Sequence, residues 1–323
     1  MSRISTDDNG AGLIGYLLFK KVVIDAANTI SSPITYGMPA PTGFLGCFHA
    51  MSRKLALDSA LPNVSLGGVL IACYDCQPQR YRATSFSNFT FNQSRNPIKR
   101  DGKTASIIEE GKCRLVMSFV VEVYADNDLS HEERQALMAK AKLHLWQQRV
   151  AGGSVRELDS FAPVQFFETN SLDEVIPQLL PAFVLMDAQA DFAQIIHNLQ
   201  QDDPSVTPLD ALIDIAALHH VPEQQDNGDI KWSTRSQKSG YGWLVPMPMG
   251  YQGISEQFAA GVMQNARNPD YPSQYVEAVY GLGKWVFPQR LAQNGGQPLN
   301  HAFWRYHYDA QASLYLVTQQ PEI

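Results

Sequence analysis

Hydrophobic residues in the first part of the chain fall into short apolar runs, separated by polar and turn-forming segments. Runs rich in Val, Ile, Leu and aromatic residues and bounded by Gly, Pro, Asn or Ser are typical of β-strands. The pattern therefore predicts strands at residues 17–30, 64–74, 115–124, 164–168 and 183–186.

Two other stretches have the spacing of amphipathic helices. At residues 43–57 the apolar positions recur at i, i+4, i+7 and i+11, which places them on one helix face. Ser130 and Glu133 form a capping-box pattern, so we expect a second helix to run to about residue 149 and to end at residues 151–153. The apolar face of the first helix consists of Phe44, Phe48, Met51 and Leu55.

The order of these elements is strand, helix, strand, long excursion, strand, helix, strand. This is the order of a ferredoxin-like (RRM-like) unit, in which two helices cover one face of an antiparallel sheet. We predict an α+β fold with an RRM-like domain at residues 1–186, and we expect the other sheet face to be free for a ligand. The excursion, a basic insertion at about residues 80–114, is long enough to carry structure of its own.

The second half of the chain has a different pattern. Residues 187–240 predict two helices, separated at Asp203 and Pro204, followed by a polar mobile loop. Residues 241–323 are rich in aromatic residues, and we expect this region to complete the fold. Residues 187–323 together are expected to form a helical and irregular C-terminal half. Within it we predict a short helix at residues 275–282 and a closing strand or hairpin at residues 303–317.

Charge is distributed unevenly along the 323 residues. The formal net charge is −7, which alone argues against a nucleic-acid partner. Residues 80–114, however, hold eight basic and three acidic side chains, a net charge of +5, whereas residues 187–229 hold nine acidic side chains and no Lys or Arg. Charges act over a Debye length of about 8 Å, so a local basic patch is sufficient to attract phosphates. We expect the acidic stretch to face solvent or a basic partner.

Patterns that would indicate an enzyme are absent from the sequence. We find no nucleophile elbow, phosphate-binding loop, zinc-protease motif or dinucleotide fingerprint. Cys73 and Cys76 form a C-x-x-C, but no second ligand pair follows at zinc spacing, so we interpret them as half-buried strand thiols. We therefore predict no catalytic residue, no metal site and no cofactor.

The composition favours a globular cytoplasmic protein. Hydrophobic residues make up 45% of the chain, which is enough for a sizeable core. No apolar run reaches the length of a membrane-spanning helix, and the first residues lack the basic and apolar regions of a signal peptide.

Basic and aromatic residues together favour RNA binding. Basic side chains follow the phosphates, while aromatic rings stack on bases at about 1–3 kcal/mol per base. Phe86, Phe89 and Phe91 could supply such rings, although they could equally belong to the core. The candidate contacts within the insertion are Arg95, Asn96, Lys99, Arg100 and Lys103.

Two loops outside the insertion offer further candidate contacts. One precedes the first helix and carries hydroxyls and backbone N–H groups suited to a phosphate or ribose. The other is glycine-rich, which allows close backbone approach to a ligand, with an arginine nearby. The residues are Ser31, Ser32, Thr35 and Tyr36 in the first loop, and Gly152, Gly153, Ser154 and Arg156 in the second.

Several of these segments resemble a known family, the second Csy subunit, which is the Cas-five-type component of type I-F CRISPR surveillance (Cascade) complexes. The matching blocks keep their order from about residue 20 to residue 290. They are 27–37 (ANTISSPITYG), 48–50 (FHA), 94–97 (SRNP), 100–102 (RDG), 109–111 (EEG), 151–154 (AGGS), 242–248 (GWLVPMP), 250–251 (GY) and 280–285 (YGLGKW).

The resemblance implies a role in a ribonucleoprotein. In this family the subunit holds the 5′ handle of the crRNA, pairs with the large subunit that reads the protospacer-adjacent motif, and abuts the first backbone subunit. It reaches target DNA only indirectly, through the complex, and a separate endoribonuclease processes the guide. The resemblance thus implies a non-catalytic RNA-binding subunit, with residues 31–36, 95–103 and 152–154 as handle contacts. The basic insertion would correspond to a thumb-like projection.

Two alternatives remain open from the residues alone. The chain could be a metal-independent endoribonuclease acting on the guide precursor, with Tyr36, His49 and Lys103 as base, acid and charge stabiliser. Against this, His49 falls inside a predicted helix, where a core histidine is more common. The chain could also be a protein-only scaffold, which fits the negative net charge but leaves the basic insertion unexplained.

Overall fold

The computed structural model describes residues 11–61, 63–225, 228–266, 268–292 and 299–319. Within these ranges the fold is a mixture of helices and strands in which antiparallel strands dominate. The chain forms two compact units: one holds the residues up to Val184 and Phe287–Arg305, the other holds Leu185–Val286 and Tyr306–Gln319. Across the described ranges, no helix has both the length and the apolar character needed to cross a membrane.

The secondary-structure elements are numbered in chain order. The strands are β1 (Gly12–Asn28), β2 (Ser65–Tyr81), β3 (Thr90–Arg95), β4 (Ile107–Glu110), β5 (Lys112–Ala125), β6 (Arg149–Val150), β7 (Gly153–Glu157), β8 (Val164–Glu168), β9 (Phe183–Asp187), β10 (His219–Gln224), β11 (Ile230–Arg235), β12 (Trp243–Gly253), β13 (Val276–Val286), β14 (Arg305–Asp309) and β15 (Leu314–Thr318). The helices are α1 (Pro41–Leu55), α2 (His131–Gln147), α3 (Val175–Leu179), α4 (Gln189–Asp202), α5 (Pro208–Ala216) and α6 (Gln289–Ala292), with short 3₁₀ turns at Thr169–Glu174 and Leu299–Ala302.

Strand β5 lies at the centre of the first unit's sheet, between β2 and β1. One row of the sheet runs from Ile71 through Phe119 to Phe19. The outer edge of β1 pairs with β8 along residues 15–19 and with β7 along residues 23–25, and all these pairings are antiparallel. The five predicted strands are therefore confirmed, and β2 and β5 extend beyond their predicted ends.

Helix α1 packs its predicted apolar face on this sheet. The rings of Phe44 and Phe48 lie 5.4 Å and 5.2 Å from that of Phe119, and Phe48 lies 5.1 Å from Phe19. Aromatic pairs at such separations contribute about 0.5–1.5 kcal/mol each beyond area burial. All four aromatic side chains are fully buried, so this cluster is the core of the first unit.

Helix α2 begins at the predicted capping box. The Glu133 N–H donates to the Ser130 hydroxyl at 3.3 Å, and the Ser130 N–H donates to the Glu133 carboxylate at 2.8 Å. The helix then buries Leu137, Ala141 and Leu145, which recur at i, i+4 and i+8 on one face. The predicted helix and its start are confirmed.

The sheet face opposite the helices is partly covered, contrary to the expectation of a free face. Phe303 stacks on Tyr16 with ring centroids 5.3 Å apart, and Trp304 forms a backbone bridge with Val69. The expectation was wrong because the covering residues come from the far end of the chain, and local patterning does not reveal so distant a contact.

The predicted insertion forms an antiparallel ribbon. Strand β2 continues past the sheet and pairs with β3 through Arg80 and Phe91, and β3 pairs with β4 from Asn92 opposite Glu110 to Arg95 opposite Ile107. This ribbon, residues 80–110, is called the basic hairpin below.

The second unit has a separate core. Helices α4 and α5 are present as predicted. Helix α5 begins at a capping box formed by Thr207 and Asp210, and α4 has the acidic Asp191 in its first turn. The core residues are Ala188, Phe192, Ile195, Ala211, Leu212, Ile215, Leu244 and Leu282.

The prediction of a helical and irregular C-terminal half was wrong for the described part of residues 241–319, whose secondary-structure elements are mainly strands. Strands β12 and β13 pair from Trp243 opposite Trp285 to Gly253 opposite Val276, and β15 adds to the other edge of β12. The predicted helix at 275–282 lies inside β13, because a short apolar run has no periodicity that distinguishes a helix from a buried strand. The closing hairpin is confirmed as β14 and β15, in which Tyr306 and Tyr315 stack at 5.1 Å.

The loop predicted after α5 contains a hairpin. Strands β10 and β11 pair through six residues each and form a sheet of their own. The ladder places Pro222 opposite Trp232, and proline is tolerated there because both strands are edges. The sequence signal was weak because the strands are short and mostly polar.

Candidate nucleic-acid interface

The loop between β1 and α1 is closed on itself by hydrogen bonds. Its ends meet in a bridge between Ile30 and Tyr36, and the Ser31 N–H donates to the Thr35 carbonyl at 3.1 Å. The hydroxyls of Ser31 and Ser32 lie 2.8 Å and 2.6 Å from that of Thr35. The three predicted hydroxyl contacts thus shape the loop, and its main outward group is the Tyr36 ring, which is 69% exposed.

Tyr36 connects this loop to the root of the basic hairpin. Its ring stands edge-on to that of Phe91 in β3, with centroids 5.6 Å apart and an interplanar angle of 87°. At the other side of the root, the Thr29 N–H donates to the Gly111 carbonyl at 3.0 Å. The loop and the hairpin root therefore form one surface.

The glycine-rich turn between β6 and β7 packs against the end of β1. Gly152 has a positive φ of 82°, and a Cβ there would lie 2.8 Å from the Asn28 amide nitrogen. A Cβ on Gly153 would lie 2.7 Å from the Asp25 carbonyl oxygen. Both positions require glycine because the turn lies so close to the backbone and side chains of β1. The neighbouring Ser154 is exposed.

A β-bulge distorts β1 at the same place. The register of β1 against β5 shifts between Ile24 and Ala27, and Ala26 has a φ of 56°. A non-glycine residue in this left-handed region costs roughly 1–2 kcal/mol. Bulges and strained residues of this kind are concentrated beside functional sites.

Three cations surround the end of β1. Arg156 and Arg114 share the Asp25 carboxylate, with N–O distances of 3.2 Å and 3.8 Å, and the Lys112 ammonium donates to the Asn28 side-chain carbonyl at 3.0 Å. Two guanidinium groups thus share one carboxylate, and the Lys112 ammonium bonds a neutral amide. Arg114 and Lys112 were missing from the predicted contacts, although the basic count of the insertion included them.

The tip of the basic hairpin is held by hydrogen bonds and an ion pair within the hairpin. The Gly102 N–H donates to the Lys99 carbonyl at 2.9 Å, and the Lys99 N–H donates to the Lys103 carbonyl at 3.1 Å. Lys103 also pairs with Asp101 at 3.3 Å, but the two side chains are 79% and 52% exposed, so water and salt weaken this pair. The other predicted tip contacts, Arg95, Asn96 and Arg100, are exposed.

Two further arginines lie nearer the hairpin root. The guanidinium carbons of Arg80 and Arg82 lie 4.0 Å and 4.8 Å from the centroid of the Phe89 ring. Phe89 is 50% exposed and Phe86 is 98% exposed, so these rings belong to the surface and not to the core. The sequence could have selected Arg80 and Arg82 because they alternate on one face of an extended strand.

The structure thus brings the two predicted loops together at the end of β1 and joins one of them to the root of the basic hairpin. The residues proposed for catalysis are distributed differently. Tyr36 lies in the loop, His49 lies on an exposed position of α1, and Lys103 lies at the hairpin tip. The expectation that His49 belongs to the core was wrong, because position 49 lies beside the buried stripe of Phe44, Phe48 and Met51 rather than on it.

The cysteines are free thiols, as predicted. Cys73 and Cys76 are half-buried in β2, and Cys47 and Cys113 are buried. Burial raises the pKa of Cys47 and of Cys73 to about 12, which keeps both thiols protonated and unreactive at neutral pH. Among the residues that the structure describes, no group of three or more His, Cys, Asp or Glu side chains is arranged to hold a metal ion.

Comparison with known proteins agrees over most of the chain. A family model described as CRISPR-associated protein (Cas_Csy2) matches residues 17–317. The chain is also 32% identical over 317 residues to the CRISPR-associated protein Csy2 of Pseudomonas aeruginosa (strain UCBPP-PA14). That alignment covers 93% of this chain and 93% of the relative.

Proposed function

The chain belongs to the Csy2 family of CRISPR-associated proteins, and on this premise we propose that it is a non-catalytic RNA-binding subunit of a type I-F CRISPR surveillance complex. In this proposal it acts in antiviral defence in the cytoplasm and caps the 5′ handle of the crRNA. The observation that carries the proposal is the convergence of the 31–36 loop, the 151–154 turn and the basic hairpin root around the end of β1.

The sheet order supports a ferredoxin-like unit beneath this surface. Taking β1, β2, β5 and β7 as its four strands, the spatial order is second, third, first, fourth, and each neighbour is antiparallel. Helices α1 and α2 are the two crossovers of the ferredoxin-like pattern. One face of the sheet is covered by helices, and the other is partly covered by Phe303. In this proposal the RNA therefore binds at the end of β1 and along the hairpin, not on the sheet face.

The chemistry of this surface suits the backbone and the bases of a single RNA strand. Arg114, Arg156 and Lys112 supply cations for phosphates, and the exposed Tyr36 ring supplies a stacking surface. The loop, the turn and the bulge are each held by hydrogen bonds or close packing before RNA arrives, so little ordering entropy is lost on binding.

We further propose that the second unit provides a protein interface, in line with the predicted large subunit and first backbone subunit as partners. Its α5 and its β10–β11 hairpin carry large apolar side chains that are more than half exposed. Apolar side chains in this number on one element pair are typical of an interface. They are Leu209, Ile213, Leu218, Ile230 and Trp232. Target DNA is reached indirectly, through the assembled complex.

The test uses this protein co-expressed with its large subunit, and guide RNAs with a native or a scrambled 5′ handle. We expect tight, salt-sensitive binding that favours the native handle, with the RNA intact after incubation. Tyr36→Ala should reduce the affinity for guide RNA about fivefold or more, since one stacked base contributes about 1–3 kcal/mol. Tyr308→Ala is the matched control, because Tyr308 is similarly exposed, at 60% against 69%, and lies in the second unit.

Each contrary result has a defined meaning. Binding without handle preference would contradict capping, and no binding would favour the protein-only scaffold. Cleavage of the RNA, lost in a His49→Ala variant, would establish the endoribonuclease.

A further inference from the structure

Arg80, Arg82 and Phe89 form a compact cluster on one face of the basic hairpin. The ladder pairs Arg80 with Phe91 and Tyr81 with Thr90, so the next position along places Arg82 opposite Phe89. Side chains that alternate along paired strands share a face. Both guanidinium groups consequently lie against the same ring, at 4.0 Å and 4.8 Å from its centroid.

The two positive charges of this cluster are close together and have no carboxylate partner. The distances to the shared ring place the guanidinium carbons within about 9 Å of each other, which is comparable with the Debye length of about 8 Å. Among the described residues, neither arginine forms an ion pair. A cation–π contact holds a guanidinium in place without neutralising it, so both charges remain available to an anionic partner.

We propose that Arg80 and Arg82 are a phosphate clamp for a single-stranded nucleic-acid backbone, and that Phe89 is the positioning residue that holds them. The inference rests on the proposed RNA-binding function and deepens it. A guanidinium presents paired N–H donors that fit two phosphate oxygens. Because phosphates are the same at every nucleotide, this contact carries no base preference.

The role of Phe89 differs from the base-stacking role expected from the sequence. The Arg80 guanidinium lies 4.0 Å from the centroid of the Phe89 ring, which is stacking distance. It therefore occupies the ring face on which an RNA base would otherwise stack. Phe86, which is 98% exposed, remains available for stacking. In this arrangement Phe89 contributes to affinity only through the orientation of the two arginines.

The position of the clamp fits one continuous path for the strand. Arg80 lies opposite Phe91, and Phe91 touches Tyr36 of the handle loop. A strand that leaves Tyr36 along this face meets Arg80 first and Arg82 next. The clamp would therefore hold the backbone beside the handle contacts.

The experiment compares wild type, Arg80→Gln/Arg82→Gln and Arg53→Gln/Lys54→Gln, each co-expressed with the large subunit. The control removes two cations that are also exposed, at the end of α1. The affinity for guide RNA is measured at several salt concentrations, with native and with scrambled handle. For a single strand, each lost phosphate contact reduces the slope of log affinity against log salt by about 0.7. We expect a reduction of about 1.4 for the clamp variant, equal for the two RNAs, and none for the control.

The Phe89→Leu variant distinguishes a role of Phe89 in orienting the two arginines from a role in apolar packing. It keeps an apolar side chain but removes the ring face, so we expect the slope to fall in the same direction as in the double variant while the thermal unfolding midpoint stays unchanged. An unchanged slope in Arg80→Gln/Arg82→Gln would overturn the clamp, and so would a change seen only with the native handle. Failure of the proposed function looks different, because the wild type itself would then show no handle preference.

Discussion

The basic hairpin and the acidic segment, residues 187–229, differ less in the number of their charges than in how those charges are used. In the described part of the acidic segment several carboxylates are bonded inside the segment's own unit: Asp210 caps α5, Asp214 pairs with His219 at 2.5 Å, and Asp191 pairs with Lys284 at 3.2 Å. In the hairpin, by contrast, several cations form no ion pair with any described residue. They are Arg80, Arg82, Arg95, Lys99 and Arg100.

The comparison of the two regions shows that a charged residue counted in the sequence is not always available to bind a partner. The carboxylates of the acidic segment support its own helices and strands, and the surface it leaves for a partner is apolar. The hairpin cations named above form no ion pair with the described residues of their own unit, so their positive charge is available to an external anion. The four predictions that follow test this contrast, beginning with the largest expected effect.

Replacing residues 97–102 by a two-residue turn removes the hairpin tip and its free cations. The hydrogen bonds and the ion pair described for the tip lie within the hairpin. We therefore expect the protein to keep its thermal unfolding midpoint but to lose assembly with guide RNA. The measurement is co-elution of protein, large subunit and RNA in size-exclusion chromatography. An intact complex from this variant would contradict a role of the tip in guide binding.

Arg305→Ala removes a cation that the fold does use. Arg305 pairs with Glu122, which is 2% exposed and also accepts the Gly68 N–H at 2.8 Å. Removing one partner of a buried pair leaves an uncompensated charge, at a cost of about 3–5 kcal/mol. Chemical denaturation should show this loss, whereas Arg100→Ala, at the exposed hairpin tip, should change the stability by less than about 0.5 kcal/mol.

Thr207→Ala removes the cap of α5 in the acidic segment. The Thr207 hydroxyl accepts the Asp210 N–H at 3.2 Å and donates to the Asp210 carboxylate at 2.6 Å. Loss of such a cap costs about 1 kcal/mol, measured by denaturation at pH 7. Equal stability of the two proteins would show that the segment does not depend on this cap.

The same pair has a pH dependence with a defined sign. Hydrogen bonds from the Thr207 hydroxyl and N–H lower the pKa of Asp210, so its contribution is present above the unfolded pKa of about 3.9 and is lost as the pH falls through the folded value. The stability difference between wild type and Thr207→Ala should therefore shrink below about pH 4. A difference that grows in acid would contradict the role assigned to the carboxylate.

Much of the first unit could be predicted from local patterns. The i, i+4 spacing of Phe44 and Phe48 and the Ser130–Glu133 capping box each predicted an element whose ends the structure reproduces closely. These predictions succeeded because amphipathic spacing and capping depend on residues within a few positions of one another. The helix predicted at 275–282 failed because these residues pair with β12, and a short apolar run carries no period that separates a helix from a strand.

The candidate site could be predicted only in pieces. The hydroxyls of Ser31, Ser32 and Thr35 were proposed as ligand contacts, but they bond one another. Gly152 and Gly153 were proposed for close approach to a ligand, but they approach β1. Arg80 and Arg82 were counted only as charge, since their shared ring at Phe89 follows from strand pairing that no local pattern specifies.

The sequence by itself determined the charge of the basic hairpin, the starts of α1, α2 and α5, and membership of the family, because each of these depends on residue identity and short spacing. Only the tertiary structure decided that the 31–36 loop and the 151–154 turn meet at the end of β1, and that Phe303 covers part of the opposite sheet face. Those contacts join residues more than a hundred positions apart. Their free energy comes from burial and hydrogen bonding that exist only once the sheet has assembled.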